Sequence, residues 1–380
     1  MNKHYNIVIA GAGGIAEAAG LLLAEWSVVP PTIFIGDRIL SKAQKVSKWI
    51  EEGTTKPCSV KAFHLPEQGF TEEMKTVLTQ GDILLDCLPG SLAPKMARFA
   101  KDFHLHYTNL TEYVAETNEI LALAKDAETG FVLQSGIAPG YIDVLANGLF
   151  QQFCKDFEVD QVDKLEFKVG ALCDHAVAPH YYGFTWSPVG VATEYLKDTI
   201  VLRDYKKTIL PSLSEMATII IDGIAYEEDL TSGGAADLPD ALAGKVGSLD
   251  YKTLRHPGHY TWVQAQVAAL KNTSNPIAAL QQKMQEQVPH IEADRIILYA
   301  AVEGKDAKGI LRRREVAKRI LPQTVGRHQL RAIQATTAAP LLQAAQLLLE
   351  SNRSGVILQS QISPKEFLNG NFIVPVYGSV

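Results

Sequence analysis

Over the first 135 or so residues, short apolar runs alternate with longer segments of helical period. Tyr5–Ala10 (YNIVIA), Thr32–Ile35 (TIFI), Ile83–Cys87 (ILLDC) and Phe131–Gln134 (FVLQ) have the length and β-branched content of strands buried on both faces of a parallel sheet. A glycine turn at Gly11–Gly14 leads into Ile15–Trp26, a helix of small and aliphatic residues. Gly36 and Asp37 end the second strand, and Ser41 is positioned to cap a helix over Lys42–Glu51. Strand alternating with helix predicts a doubly wound parallel sheet of the α/β class.

The pattern changes after about Pro139. Leu165–Val169 (LEFKV) alternates as a strand with one exposed face does. Residues 171–190 are rich in His, Tyr, Trp, Pro and Gly, and residues 229–259 in Gly, Pro, Asp and aromatics, a texture expected of long irregular segments that carry function. Thr336–Glu350 (TTAAPLLQAAQLLLE) predicts a buried helix. The expected organisation is a first domain over 1–137, completed by a returning helix near 336–352. A second α/β (α+β) domain follows over 138–335, with a C-terminal segment over 353–380.

Composition narrows the class. The 380 residues are 47% apolar and 21% charged, with 36 Lys+Arg against 42 Asp+Glu and a net charge of −6. That balance argues against nucleic acid or an anionic membrane as the main partner. Cys58, Cys87, Cys154 and Cys173 are widely spaced with no CxxC pair, so neither a disulfide framework nor a zinc ribbon is expected, and a reducing, cytoplasmic setting fits. No apolar stretch reaches the ~18 residues of a membrane span. Lys3 and the apolar run after it resemble a signal peptide, but glycines interrupt the run and no clean cleavage site follows. A basic run, Arg312-Arg313-Arg314 with Lys318 and Arg319, reads as a solvated helix face rather than an RNA surface.

The strongest local motif is Gly11-Ala12-Gly13-Gly14-Ile15-Ala16, a GxGxxA between a strand and a helix. The first glycine permits the tight turn, the second lets backbone approach a pyrophosphate, and the small Ala16 allows close helix–strand packing. The phosphate would sit on N–H groups at the positive end of the helix. Asp37 lies 21 residues beyond Ala16, where an acid hydrogen-bonds the ribose of NAD and repels the extra phosphate of NADP. NAD is therefore favoured. NADP stays open, because Arg38 beside it can stack on adenine or pair with a 2′-phosphate. The fold expected is a Rossmann sheet plus a second domain. Asp86-Cys87-Leu88-Pro89-Gly90 closes a further strand, either near the nicotinamide ribose or as a plain strand-ending turn.

Five segments carry a resemblance beyond that generic fold: His106–Glu112 (HYTNLTE), Ser135–Gly140 (SGIAPG), Phe184–Pro188 (FTWSP), Thr231–Gly234 (TSGG) and Leu249–His259 (LDYKTLRHPGH). In this order they resemble the saccharopine dehydrogenase family, most of all its bacterial branch related to lysine 6-dehydrogenase, over nearly the whole chain to Ile362–Gly370 (ISPKEFLNG). The resemblance implies a homodimer, and NAD(P)-linked redox at a carbon bearing an amine or imine, on an amino acid such as lysine or saccharopine. The chain departs from the family at His256, at Asn109 and at Gly170-Ala171-Leu172-Cys173.

Several residues in these segments have chemistry of their own. Pro139 and Gly140 read as the start of a helix whose N-terminus favours a carboxylate, and Asp143 one turn on can cap that helix or hold a substrate ammonium. Thr231, Ser232, Gly233 and Gly234 suit wrapping backbone donors around a carboxylate, or form a surface turn. Arg255 can grip a carboxylate bidentately or serve an intramolecular ion pair. His256 and His259 form HxxH without a third ligand, so no metal is expected. His259, with an ordinary pKa near neutrality, is a candidate for proton transfer or a structural histidine. Trp186 and Ser187, among Tyr181, Tyr182 and Phe184, read as a pocket wall or as core. No nucleophilic triad is visible. Two rival functions remain open: the same redox centre run as reductive condensation of an aldehyde with an amine, and a dinucleotide-binding sensor without turnover.

Overall fold

The computed structural model describes every residue except 2, 175, 271, 272, 352 and 380. Two of these end expected spans, so the last residue of the 336–352 helix and of the 353–380 segment lies outside the described residues. The chain clusters into two compact units, one of Met1–Tyr141, Gln323–Leu330 and Gln334–Val380, the other of Ile142–Pro322 and Arg331–Ile333. Residues 353–379 belong to the first.

The first unit is built on β1 (Asn6–Ala10), α1 (Gly14–Trp26), β2 (Thr32–Asp37), α2 (Leu40–Gly53), β3 (Ser59–His64), α3 (Glu72–Gln80), β4 (Ile83–Asp86), α4 (Ala93–Asp102), β5 (His106–Asn109), α5 (Val114–Leu123) and β6 (Gly130–Val132). Its sheet runs β3-β2-β1-β4-β5-β6 and ends on a parallel strand, Gly355–Ile357, beside β6; every pairing is parallel. The order reverses at β1, which sits between β2 and β4, and such a switch point leaves a crevice outside the strands' carboxyl ends. Helix α1 comes close to α2 because Gly20 has no side chain: a Cβ there would lie 2.2 Å from Ile50 Cδ1. Ser41 lies inside α2 rather than capping it, since the helix opens at Leu40 after an extended Ile39.

The second unit holds α6 (Tyr141–Phe157, entering from the first unit), β7 (Val162–Cys173), α7 (Pro188–Leu196), β8 (Thr199–Arg203), β9 (Lys206–Leu210), β10 (Ala217–Ile221), β11 (Ile224–Leu230), β12 (Val246–Arg255), α8 (His259–Ala269), α9 (Pro276–Gln287), β13 (Asp294–Lys305) and β14 (Leu311–Ile320). The mixed sheet runs β10-β11-β12-β7-β13-β14, with the β8–β9 hairpin joined to β12. Three expectations change here. Leu165–Val169 belongs to a central strand buried on both faces, and its charges survive burial by pairing. Lys168 Nζ lies 2.9 Å from Glu166 and 3.0 Å from Glu228, and against its own burial Glu166 is pulled down to about 2 by Lys168 and Lys164. The Arg312–Arg319 run is a β-strand at the sheet edge rather than a helix; Arg314, Val316, Lys318 and Ile320 turn toward the protein and the alternate residues to solvent. Residues 229–259 are also less irregular than their composition implies, since they contain β12.

The late helix, α10, spans Ala332–Leu349, four residues earlier than the apolar pattern alone predicts. The Asp294 carboxylate accepts the Ala332 and Ile333 N–H groups at 2.7 Å each and so moves its start forward.

Candidate functional site

At the carboxyl end of β1, Gly11 has φ +106° and donates its N–H to the Gly36 carbonyl over 2.7 Å. A Cβ there would lie 3.0 Å from the Cys87 carbonyl oxygen, whereas one on Gly13 would meet nothing within 4 Å. The turn thus needs glycine at the first position for its own geometry, and at the second position leaves the backbone facing open space. Gly13 starts α1 with no side-chain cap, so that helix end keeps its N–H groups for a ligand, while Ala16 is fully buried. Asp37 ends β2 and ties the two loops together, accepting from Ala12 N at 3.1 Å and Ile39 N at 2.9 Å. Arg38 is exposed and paired with Glu67 at 2.6 Å. From α10, Gln334 donates to the Gly14 carbonyl over 2.9 Å, a contact that nothing in the local motif announces.

The turn after β4 lies beside this loop. Cys87 N bonds the Ala10 carbonyl at 2.9 Å, and the Asp86 carboxyl accepts from Leu88 N at 3.0 Å and from the Tyr107 hydroxyl at 2.8 Å. Burial pushes Asp86 up to about 7 against those two hydrogen bonds, and pushes the Cys87 thiol upward as well. Cys87 and Leu88 are partly buried and Pro89 is exposed.

In Ser135–Gly140, Gly140 takes φ +133°, and a Cβ on it would lie 2.1 Å from the Gly136 carbonyl oxygen. The Gly136 N–H donates to the Pro139 carbonyl at 2.9 Å and its carbonyl accepts Tyr141 N at 2.8 Å. This tight turn delays α6 to Tyr141, so Pro139 stands outside the helix instead of in its first turn.

The second unit gathers Arg255, Tyr195, Glu194, His259 and Tyr182 into one buried network. Arg255, 1% exposed, donates from Nε to the Tyr195 hydroxyl at 2.7 Å, and from its terminal nitrogens to Glu194 at 2.7 Å and the Leu254 carbonyl at 3.0 Å, with its guanidinium 4.9 Å from the Tyr182 ring centre. Of the two roles open for Arg255, the intramolecular ion pair is the one seen here. His259 Nδ1 lies 2.7 Å from the His180 carbonyl, which can only accept, so that nitrogen carries the proton and Nε2 accepts from Tyr195 at 2.9 Å. Burial, with the Arg255 charge beside it, pushes His259 down to about 3. The premise that it titrates near neutrality therefore fails: it is neutral, with both ring nitrogens engaged.

Around this network, Thr231 Oγ1 is 2.6 Å from Thr253 Oγ1, Ser232 N donates to the Glu194 carbonyl at 3.0 Å, and Gly233 has φ +90°. Gly234 lies against the Tyr251 ring, where a Cβ would come within 2.2 Å. Asp143 is fully buried and acts electrostatically on Tyr251. Ser187 caps α7 by accepting from Gly190 N at 3.4 Å, and Gly190 leaves room for the half-buried Trp186 ring. Trp186 packs against the aromatic core of Tyr182, Phe184, Tyr195 and Tyr260. His256 bonds the Cys173 carbonyl at 2.9 Å. Among the described residues no three His, Cys, Asp or Glu side chains are placed to share a metal ion, and no helix is long and apolar enough to cross a membrane.

Comparison with known proteins decides the lineage. The saccharopine dehydrogenase NADP binding domain matches residues 7–133, and the saccharopine dehydrogenase C-terminal domain matches residues 136–370. The chain belongs to the saccharopine dehydrogenase family. Among solved structures it is similar to the L-Glu-forming saccharopine dehydrogenase of Saccharomyces cerevisiae, with 15% identity over 98% of both chains and a TM-score of 0.74. It is also similar to the homospermidine synthase of Legionella pneumophila, solved in complex with NAD. There the identity is 14% over 100% of this chain and 91% of that one, with a TM-score of 0.70.

As in other saccharopine dehydrogenase family members, the first unit is a nicotinamide-dinucleotide-binding domain of the Rossmann type and the chain is an oxidoreductase of that family. The loop fits such a group on its own evidence, through the left-handed Gly11, the open space at Gly13 and the uncapped start of α1. Sequence reasoning missed Glu194, Tyr195, Tyr251 and Gln334. Of these, only Tyr251 lies inside a motif that the resemblance had marked, LDYKTLRHPGH.

Proposed function

We propose that this protein oxidises or reduces a carbon bearing an amine or imine nitrogen on an amino acid such as L-lysine or saccharopine. What supports this above all is the pair of family matches that together span residues 7–370 but for two positions, covering the dinucleotide domain and the second domain alike. Gly11, Ala12, Gly13, Gly14 and Ile15 would hold the pyrophosphate, Asp37 with Arg38 the adenosine end, and Cys87, Leu88 and Pro89 the nicotinamide end. The bound dinucleotide supplies the hydride acceptor or donor.

This chain's own residues orient substrate and handle the proton. In the second unit Thr231, Ser232 and Gly233 are assigned to the substrate carboxylate and Trp186 and Ser187 to its chain; Pro139 and Gly140 of the first unit are also proposed as substrate-binding residues. Oxidation removes a hydride from the C–H and a proton from nitrogen, leaving an imine that water opens. Asp143 is the proposed acceptor of that proton. Arg255 and His259 enter as positioning residues, since the first is engaged by Glu194 and Tyr195 and the second is neutral with both nitrogens bonded. A homodimer in the cytoplasm is part of the same proposal.

The second reading, reductive condensation of an aldehyde with an amine, is favoured by the homospermidine synthase likeness, which extends over all of this chain. The test follows the reduced-nicotinamide absorbance with NAD and then NADP, across L-lysine, saccharopine and polyamines. A signal with L-lysine or saccharopine is expected. NADH consumption only with an aldehyde and an amine together selects condensation, and failure to bind either dinucleotide overturns both.

A further inference from the structure

We propose that Glu67 is a cofactor-selectivity residue, which excludes NADP by occupying the Arg38 guanidinium, a candidate partner for a 2′-phosphate. The inference rests on the reading above that Asp37 and Arg38 meet the adenosine ribose. Strands β2 and β3 are paired in register to their ends, Asp37 opposite His64, and the Leu65 N–H donates to the Asp37 carbonyl over 3.0 Å. The loop after β3 is thereby held against the loop after β2. From α4, Lys95 Nζ bonds the Glu67 carbonyl and lies 3.4 Å from the Pro66 carbonyl, so the backbone of Glu67 is anchored from a second element. Its carboxylate then reaches Arg38 at 2.6 Å.

A carboxylate and a phosphate compete for the same donors of a guanidinium. While Glu67 occupies Arg38, a 2′-phosphate finds an engaged arginine and two nearby carboxylates, Asp37 and Glu67. NAD, with a plain ribose, carries no 2′-phosphate to compete with Glu67 for the Arg38 guanidinium. Selectivity is thus divided between Asp37, which carries the repulsive charge, and Glu67, which neutralises the residue that would offset it.

The test is the affinity of the full chain for NADPH and NADH, by nicotinamide fluorescence, in wild type, Glu67→Gln, Arg38→Ala and the double variant. Arg38 and Glu67 side chains are 65% and 68% exposed, so these changes leave the fold intact. Glu67→Gln is expected to tighten NADPH binding about fivefold, the ceiling for freeing one exposed ionic partner, and to leave NADH within about twofold. The double variant should lose that gain, and high salt should erase it. If Glu67→Gln leaves NADPH affinity unchanged, or if the gain persists without Arg38, the inference is wrong. Wild type that binds neither dinucleotide would overturn the underlying reading of the loop instead.

Discussion

The Tyr195 hydroxyl stands between Arg255 and His259, accepting from Arg255 Nε at 2.7 Å and donating to His259 Nε2 at 2.9 Å. With the His180 carbonyl fixing the proton on Nδ1, each donor in the chain faces an acceptor and no alternative tautomer satisfies all three contacts. All three side chains are at most 2% exposed, so no water can substitute for a lost partner. Tyr195→Phe leaves Arg255 Nε–H and His259 Nε2 buried without a partner. We expect it to lower the unfolding free energy by about 2–6 kcal/mol in urea, from two unsatisfied groups at roughly 1–3 kcal/mol each. NADH affinity should be unchanged, because the network lies in the second unit. A loss below 1 kcal/mol would mean that the network is slack.

His259 also sets an acid limit. Its pKa falls from 6.5 in the unfolded chain to about 3 in the folded one, so the unfolded chain binds the extra proton first as pH drops. The contribution is fully present above about 6.5 and is lost progressively down to about 3. His259→Gln, which cannot ionise, should show a shallower loss of stability across that window, while staying less stable than wild type near neutrality. Parallel pH profiles for the two proteins would show that His259 is not the titrating group.

Much of the first unit was legible in the sequence because four of its strands are short apolar runs, a signal contained within a single window, whereas β3 (SVKAFH) and β5 (HYTN) mix in polar and charged residues and carry no such run. The second unit hides its logic in pairs distant along the chain. Lys168 looks like the exposed side of an alternating strand until Glu228, sixty residues on, is brought beside it. Glu194 and Tyr195 carry no motif; they matter only because α7 packs them onto the end of β12 and the start of α8. The Arg312–Arg319 run has charge on both faces, which erases the period that separates helix from strand. Gly140 was visible as a glycine, but its φ of +133°, and with it the later start of α6, depends on the Gly136 contacts.

Gly11 and Gly13 should separate when each is changed to Ala. Gly11→Ala strains a left-handed residue and crowds the Cys87 carbonyl, so it should lower both the melting temperature and NADH affinity, the latter on the order of tenfold. Gly13→Ala meets no protein atom within 4 Å and should leave melting unchanged while still weakening NADH. Calorimetry and fluorescence titration of both variants check this. Unaltered NADH binding by Gly13→Ala would mean that the pyrophosphate does not approach there.

Asp86 gives the opposite pH signature to His259, in the other unit. Its carboxyl is raised from 3.8 to about 7 by burial, despite the hydrogen bonds from Tyr107 and Leu88. Between those values the folded chain holds a proton that the unfolded chain has released, so stability is full below about 3.8 and declines as pH rises toward 7. Asp86→Asn keeps an acceptor for Leu88 N, and the Tyr107 hydroxyl retains the Ala93 carbonyl at 3.2 Å as a second acceptor. The variant should therefore fold. Its stability relative to wild type should climb by a few kcal/mol from pH 4 to 7, at about 1.4 kcal/mol per pH unit, and stay level above that. Urea unfolding at intervals across pH 4 to 8 measures it. Because Asp86 ties the turn after β4 to β5, NADH binding by wild type should track the same transition, and the Asp86→Asn protein should lose that pH dependence. A stability difference that stays flat across the window would show that Asp86 ionises near its ordinary value.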